Sequence, residues 1–149
     1  LDTLNERREA LTLARQTLAQ ANAALAERFS PRLVREASEI FSELTGGRYA
    51  RVQISRQMEL EAGQPDAAMR RSLFLSGGTA DELYLSVRLA VCRLLLPEDA
   101  PLLLDDALVM FDDDRLRLAL RLLQREAENR QILLFTCQHR EQKALTTDL

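Results

Sequence analysis

Four polar clusters in this 149-residue chain have residue types and spacings suited to chemistry on an anion. The first is Ser76-Gly77-Gly78-Thr79, between the apolar, strand-like run "RRSLFLS" and a long amphipathic segment. Thr79 and Glu82 stand at the T-x-x-E spacing of a capping box, which predicts a helix starting at Thr79 or very near it. The free N–H groups and positive dipole end of such a helix face back toward Ser76 and the glycines. Glycine lets an anion approach the backbone without a Cβ in the way, and serine adds a hydroxyl donor. The plainer reading is a tight strand-to-helix turn that binds nothing.

The second cluster is Asp105-Asp106, closing the run "PLLLDD". Adjacent acids point to opposite sides of a continuing strand, so one can hold Mg²⁺ through water while the other faces a nucleophile. Ligands of open α/β sheets bind at such carboxyl ends. Solvated acids opening a loop are the alternative. The apolar run before them predicts instead a buried strand mouth, where an unused charge is costly. The third cluster is "FDDDR", Phe111 to Arg115, whose acids are as well placed to cap the next helix as to serve a ligand. The fourth is "LLFTCQHRE", which puts Gln138 and His139 at the end of a second apolar strand, beside the acids of the first. Either side chain can meet a phosphate or a water there. A lone histidine at a helix start is equally a surface residue.

The elements that position these clusters read as follows. Leu4, Leu11, Leu18 and Leu25 recur every seven residues, with Ala14 and Ala21 behind two of them, a narrow coiled-coil seam. One amphipathic helix on a core is the alternative. Ser30-Pro31 predicts an N-cap and first helical position of a second helix. That helix runs to about Leu44, with Leu33, Val34, Ala37, Ile40, Phe41 and Leu44 on one face, and Gly46-Gly47 ends it. Residues 49–54 alternate as a strand, Gln57 to Glu61 offers a partner with Met58 and Leu60 on one side, and 62–70 reads as an exposed loop. Helices are expected over about 80–96 and 113–128, and a short one from Cys137. The strands "LLL" and "QILLFT" are short and fully apolar, so they read as buried and parallel. Strand–helix–strand order implies an α/β layer with right-handed crossovers.

Composition sets outer bounds. With 46% hydrophobic and 29% charged residues the chain is globular rather than disordered. It holds no apolar run of about 18 residues and no secretory signal pattern, so no membrane contact is expected. The net charge of −3 gives no global basic footprint for nucleic acid. Arg7, Arg8, Arg15, Arg28, Arg32 and Arg35 read first as a solvated helix face and second as contacts for nucleic-acid phosphates. Lys143 is the sole lysine. Cys92 and Cys137 look like small buried residues in a reducing cytosol, and one histidine without a CxxC or HxxxH pattern argues against zinc. The cytoplasm is the expected location.

In order, glycine–helix, strand–Asp-Asp and strand–polar resemble the second half of an ABC-type ATPase. "LSGGT" (Leu75–Thr79) looks like the ABC signature, usually written LSGGQ. "PLLLDD" looks like a Walker B strand, Phe111-Asp112 like its D-loop, and "LLFTCQ" like the switch strand. The resemblance covers about 50–141. With the coiled-coil stump it points to SMC-like ATPases of chromosome maintenance and DNA repair, most closely the YhaN and SbcC-like group, through "FSELTGGRYARV", "LSGGT", "LLLDDALVMFDDDR" and "FTCQHRE". It implies an α/β fold: an ABC ATPase C-terminal lobe of parallel strands with flanking helices and a small antiparallel hairpin, preceded by a coiled-coil helix. The division would be a return helix over 1–29 and the lobe over 30–149.

The same resemblance implies roles. Ser76, Gly77, Gly78 and Thr79 would face the γ-phosphate of an ATP held by an opposite head, and Asp105 would organise Mg²⁺. Asp106 would polarise the attacking water, where the family usually has glutamate, one methylene longer. Asp112 would be the D-loop acid at the interface between heads. Gln138 takes the place of the switch histidine, with His139 one residue late. The chain has no G-x-x-x-x-G-K-[ST], so nothing in it cradles the α- and β-phosphates. An amino-terminal lobe carrying that Walker A loop is therefore an implied partner. A second head forming a homodimer, DNA and a nuclease subunit are the others. The chain opens at Leu1 in mid-helix pattern and is read as a piece of a longer protein, inactive alone. A non-catalytic ATP-dependent dimerisation module, a transporter ATPase fragment and a coiled-coil scaffold with an α/β cap are the rival readings.

Overall fold

In a computed structural model the chain divides into two compact units, Leu1–Arg32 and Leu33–Leu149. The structure describes residues 2–55 and 59–147, and the side chains of 2–4, 22, 24–28 and 147 lie outside that description. Gln57 and Met58 of the expected partner strand, and the seam side chains of Leu4 and Leu25, fall outside it too.

Helix α1 runs unbroken from Asp2 to Leu44 with Pro31 inside it. The helix start expected at Ser30-Pro31 is therefore corrected. An internal proline removes one i→i−4 bond and costs about 3 kcal/mol. The apolar face beyond it offsets that cost, because Leu33, Ala37, Ile40, Phe41 and Leu44 are all buried. In the first unit the seam residues Leu11 and Leu18 are 65% and 70% exposed. Gly46 (φ 61°) and Gly47 (φ 81°) end α1 in the left-handed region, and the Gly47 N–H donates to the Ser42 carbonyl at 2.7 Å.

Strands β1 (Arg51–Ile54), β2 (Leu60–Gly63) and β3 (Arg70–Arg71) form an antiparallel sheet in the order β1-β2-β3. Ile54 pairs with Leu60 and Arg51 with Gly63. The expected hairpin is thus a three-stranded sheet, and its second strand lies about three residues later than alternation suggested. Arg70–Arg71, at the edge of the expected loop, forms the third strand. A 3-10 turn over Ser72–Phe74 follows and leaves Leu73 and Phe74 exposed, so only the first two residues of the strand-like run "RRSLFLS" are strand. Ser38 ties this sheet to α1: its hydroxyl donates to the Val34 carbonyl at 2.7 Å and accepts the Val52 N–H at 3.0 Å.

Helix α2 (Gly77–Leu95) leads to β4 (Leu102–Asp105), α3 (Asp113–Glu126), β5 (Ile132–Phe135) and α4 (His139–Thr147). β4 and β5 pair in parallel, Leu103 opposite Leu133 and Asp105 opposite Phe135. Arg93 of α2 joins the layers, its Nε donating to Glu126 of α3 at 2.9 Å and its Nη1 lying 3.4 Å from Glu36 of α1. On one face of the parallel pair Leu102 is buried and Leu104, Ile132 and Leu134 are half-buried, whereas full burial of both faces was expected. Leu103, Leu133 and Phe135 are 64%, 38% and 52% exposed on the other face. A groove of about 400 Å³, walled by Leu85, Leu89 and Cys92 of α2, runs along β4.

Candidate functional site

The glycine turn is held by the first turn of α2. Ser76 is the N-cap, in extended conformation, and its carbonyl accepts the Ala80 N–H at 2.8 Å. Its hydroxyl makes no capping bond and instead lies 2.8 Å from the Thr79 hydroxyl. The helix thus begins at Gly77, earlier than the T-x-x-E spacing predicted. Serine is itself a preferred cap, and the two glycines can take helical angles at a cost of about 1 kcal/mol each relative to alanine. Glu82 does not fold back over the helix start; it is buried.

The two glycines differ in what they admit. A Cβ on Gly77 would meet only the Met110 methyl, at 3.7 Å. A Cβ on Gly78 would lie 2.1 Å from Arg115 Nη1 and 3.1 Å from the Met110 carbonyl oxygen. Gly77 therefore keeps open space above the helix end, while Gly78 is dictated by close packing on the chain's own "MFDDDR" segment.

Arg115 is the hub of that packing. Its Nη2 donates to Thr79 Oγ1 at 3.0 Å, and its Nε lies 3.5 Å from Glu82 Oε1 and from Asp112 Oδ2. Asp112 caps α3, its Oδ1 accepting the Arg115 N–H at 3.0 Å. Glu82 is 1% exposed and neither carboxylate oxygen has a hydrogen-bond partner among the described residues. Burial pushes its carboxyl up to about 7; Arg115 and Arg48 pull it down and Asp112 pushes it up. Thr79, Glu82, Asp112, Arg115, Arg48 and Tyr49 line a cavity of about 230 Å³. Neither Glu82, as a buried acid, nor Arg115 stood out in the sequence. The available signal was a charge on the apolar face of α2, where Glu82 sits in line with buried Thr79, Leu83 and Ser86.

The strand ends carry the other candidates. β4 stops at Asp105, so Asp105 and Asp106 are not opposite faces of one continuing strand. Asp106 turns into the left-handed region (φ 46°), which aspartate tolerates better than most residues. Its N–H still donates to the Phe135 carbonyl at 2.9 Å, and its Oδ1 accepts the Cys137 N–H at 3.2 Å. The Asp106 carboxylate is thus pinned to the end of β5. Both acids are exposed, so the expected desolvation is absent from this chain. The Cys137 thiol is exposed and free, not buried as expected, and Cys92 is half-buried.

Gln138 Oε1 accepts from Arg140 Nε at 2.6 Å, and Arg140 Nη2 reaches back to the Val109 carbonyl at 3.0 Å. His139 opens α4 and is exposed. The structure thus brings Ser76, Thr79 and Asp112 together through Arg115, and Asp106 to the backbone before Gln138. Among the described residues no side-chain hydrogen bond or ion pair links Asp105 or His139 to the others. No described helix is long and apolar enough to cross a membrane.

Comparison with known proteins gives a consistent fold. No protein-family model matches the chain. It is 36% identical over 110 residues to the uncharacterized protein YhaN of Bacillus subtilis (strain 168), which covers 72% of this chain and 11% of YhaN. The chain therefore spans about a tenth of that relative's length. A structure from work on ATP-driven dimerization and DNA-stimulated activation of SMC ATPases superposes with a TM-score of 0.68 at 19% identity, over 82% of this chain and 76% of that one. An Smc head domain with a coiled coil and joint from Pyrococcus yayanosii superposes with a TM-score of 0.66 at 16% identity, over 96% of this chain and 29% of that one. The chain resembles the carboxy-terminal lobe of an SMC-like ATPase head, and its α/β fold, with a small antiparallel sheet and a parallel two-stranded sheet, is that of SMC heads.

Proposed function

We propose that this chain, with the fold of an SMC head, is the carboxy-terminal half of an ATPase head that binds and hydrolyses ATP between two heads. The bare face of the parallel β4–β5 pair carries the proposal. Parallel strands are stable when both faces are covered, and an isolated strand pair is marginal. Here Leu103, Leu133 and Phe135 lie open on one face, with the catalytic-type acids at its carboxyl end. A first lobe bearing the phosphate-cradling loop would cover that face and extend the sheet. Residues 1–29 are then the returning strand of a coiled coil, with Leu11 and Leu18 awaiting the outgoing helix, and 30–149 form the lobe.

The residues present suit a nucleotide phosphate and its metal. Ser76 supplies a hydroxyl and Gly77 an unobstructed backbone at the positive end of a 19-residue helix. Gly78 and Thr79 shape that end from behind. Asp105 offers an exposed carboxylate of the kind that holds a hydrated Mg²⁺, which would neutralise phosphate charge. Asp106 has one oxygen held by the Cys137 N–H, and the other, without a hydrogen bond among the described residues, can orient a water and take its proton. Gln138 would meet the terminal phosphate in the switch position, with exposed His139 as a second candidate. Asp112 would be the interface acid, coupled through Arg115 to the glycine turn. Head closure would move the coiled coils, with DNA as the larger substrate and a nuclease subunit as a companion near their base.

Joining this chain to its first lobe and measuring ATP turnover tests the reading. Asp106→Asn is expected to abolish turnover and Ser76→Arg to abolish both turnover and ATP-dependent pairing. Turnover indifferent to both substitutions would refute it. The shorter reach of Asp106 compared with glutamate favours one second reading, a head that pairs on ATP without turning over. Pairing without hydrolysis in the wild type would select it.

A further inference from the structure

Thr79 is 3% exposed, and among the described residues its hydroxyl has two hydrogen-bond neighbours. Arg115 Nη2 lies at 3.0 Å and Ser76 Oγ at 2.8 Å. A guanidinium only donates, so the direction of the first bond is fixed. The proton of Thr79 then needs an acceptor, because a buried hydroxyl proton left unpaired is costly. Among the described residues Ser76 Oγ is the acceptor within reach. The reverse sense, Ser76 donating to Thr79, would leave the Thr79 proton without an acceptor among the described residues. The donors therefore run from Arg115 to Thr79 to Ser76, and the exposed Ser76 hydroxyl keeps its own proton for an outside acceptor.

We propose that Arg115 is a positioning residue for Ser76. Acting through Thr79, it sets the serine hydroxyl as a hydrogen-bond donor toward a terminal phosphate oxygen of the nucleotide on the opposite head. The inference rests on the phosphate-facing role proposed for Ser76. Each bond in such a chain polarises the next, so a cationic first donor strengthens the last one. Arg115 is itself fixed by Glu82 and by Asp112, each 3.5 Å from Nε. A shift of the Asp112 segment would therefore turn Arg115, and with it the donor presented at Ser76.

The test is a double-substitution cycle in the full-length, two-lobe protein. ATP-dependent pairing of heads is measured by sedimentation with a slowly hydrolysed ATP analogue. Thr79→Val keeps the side-chain shape and removes the relay; it is expected to weaken pairing about tenfold, the loss of one charge-assisted hydrogen bond. Thr79→Ser restores pairing to within about twofold of wild type. Ser76→Ala weakens pairing at least as much as Thr79→Val, and the double substitution is no worse than Ser76→Ala alone. A purely structural role for Thr79 predicts additive losses instead, and additivity overturns the proposal. So does wild-type pairing in Thr79→Val beside a defect in Ser76→Ala, which leaves the role of Ser76 standing. Wild-type pairing in Ser76→Ala removes that role and the relay with it.

Discussion

Replacing Glu82 with glutamine should flatten the pH dependence of stability. Glu82 is 1% exposed, without a hydrogen bond to either oxygen among the described residues, and burial raises its carboxyl from 4.5 to about 7. In the unfolded chain it ionises near the ordinary value; in the folded chain it holds its proton longer. Between those values the folded state binds more protons, so stability falls as pH rises from about 4.5 through about 7 and stays lowered above that. The size follows from 1.36 kcal/mol per pKa unit, giving about 3 kcal/mol. Glu82→Gln cannot ionise and loses nothing across that window. The pull of Arg115 on the ionised carboxylate is already contained in the folded value of about 7, so its loss in the variant adds no separate pH-dependent difference. Urea melts followed by circular dichroism at pH 4.5, 6 and 8, run on both proteins, read the difference directly. The advantage of the variant should grow by about 3 kcal/mol from the lowest to the highest pH, as other titrating groups cancel. Parallel stability profiles for the two proteins would refute the account of a buried, desolvated acid beneath the glycine turn.

Two further outcomes follow from the geometry. Gly78→Ala should destabilise the fold by about 1–3 kcal/mol, because its Cβ meets pinned Arg115 and the Met110 carbonyl, whereas Gly77→Ala should unfold within about 1 kcal/mol of wild type. Denaturant midpoints with unchanged m-values decide this. Phe135→Glu, on the exposed face of β5, should leave stability within about 0.5 kcal/mol yet abolish capture of this chain by a separately expressed first lobe. Capture at wild-type strength would mean that the lobe docks elsewhere.

Much of this was legible in the sequence, for physical reasons that differ by element. Gly46-Gly47 ended a helix as expected because two residues in the left-handed region leave little alternative to glycine. The order of β4, α3 and β5 followed from short apolar runs alternating with a helical period. Pro31 misled because a proline marks a possible start, while only packing decides whether a helix continues through it. Thr79 misled because the capping-box spacing cannot register that Glu82 is drawn inward toward Arg115. That contact joins residues 33 positions apart, and no local pattern records it. The exposed face of β4–β5 was invisible for a related cause. An apolar strand reads the same whether its cover belongs to the same chain segment or to another. The candidates at the glycine turn and the strand ends were named from the sequence; what it lacked was Glu82 as a buried acid and the arginine that joins it to Thr79 and Asp112.

The central claim is that Ser76 and its glycines serve a nucleotide held by another head. Mixing two full-length variants tests it most directly. One carries Ser76→Arg and the other a first lobe disabled for ATP binding. Neither should pair alone when ATP is added. Together they should pair, because the ATP-binding lobe of the first faces the intact glycine turn of the second and completes one of the two symmetric sites. A mixture that stays unpaired in sedimentation, or Ser76→Arg heads that pair by themselves, would contradict the account.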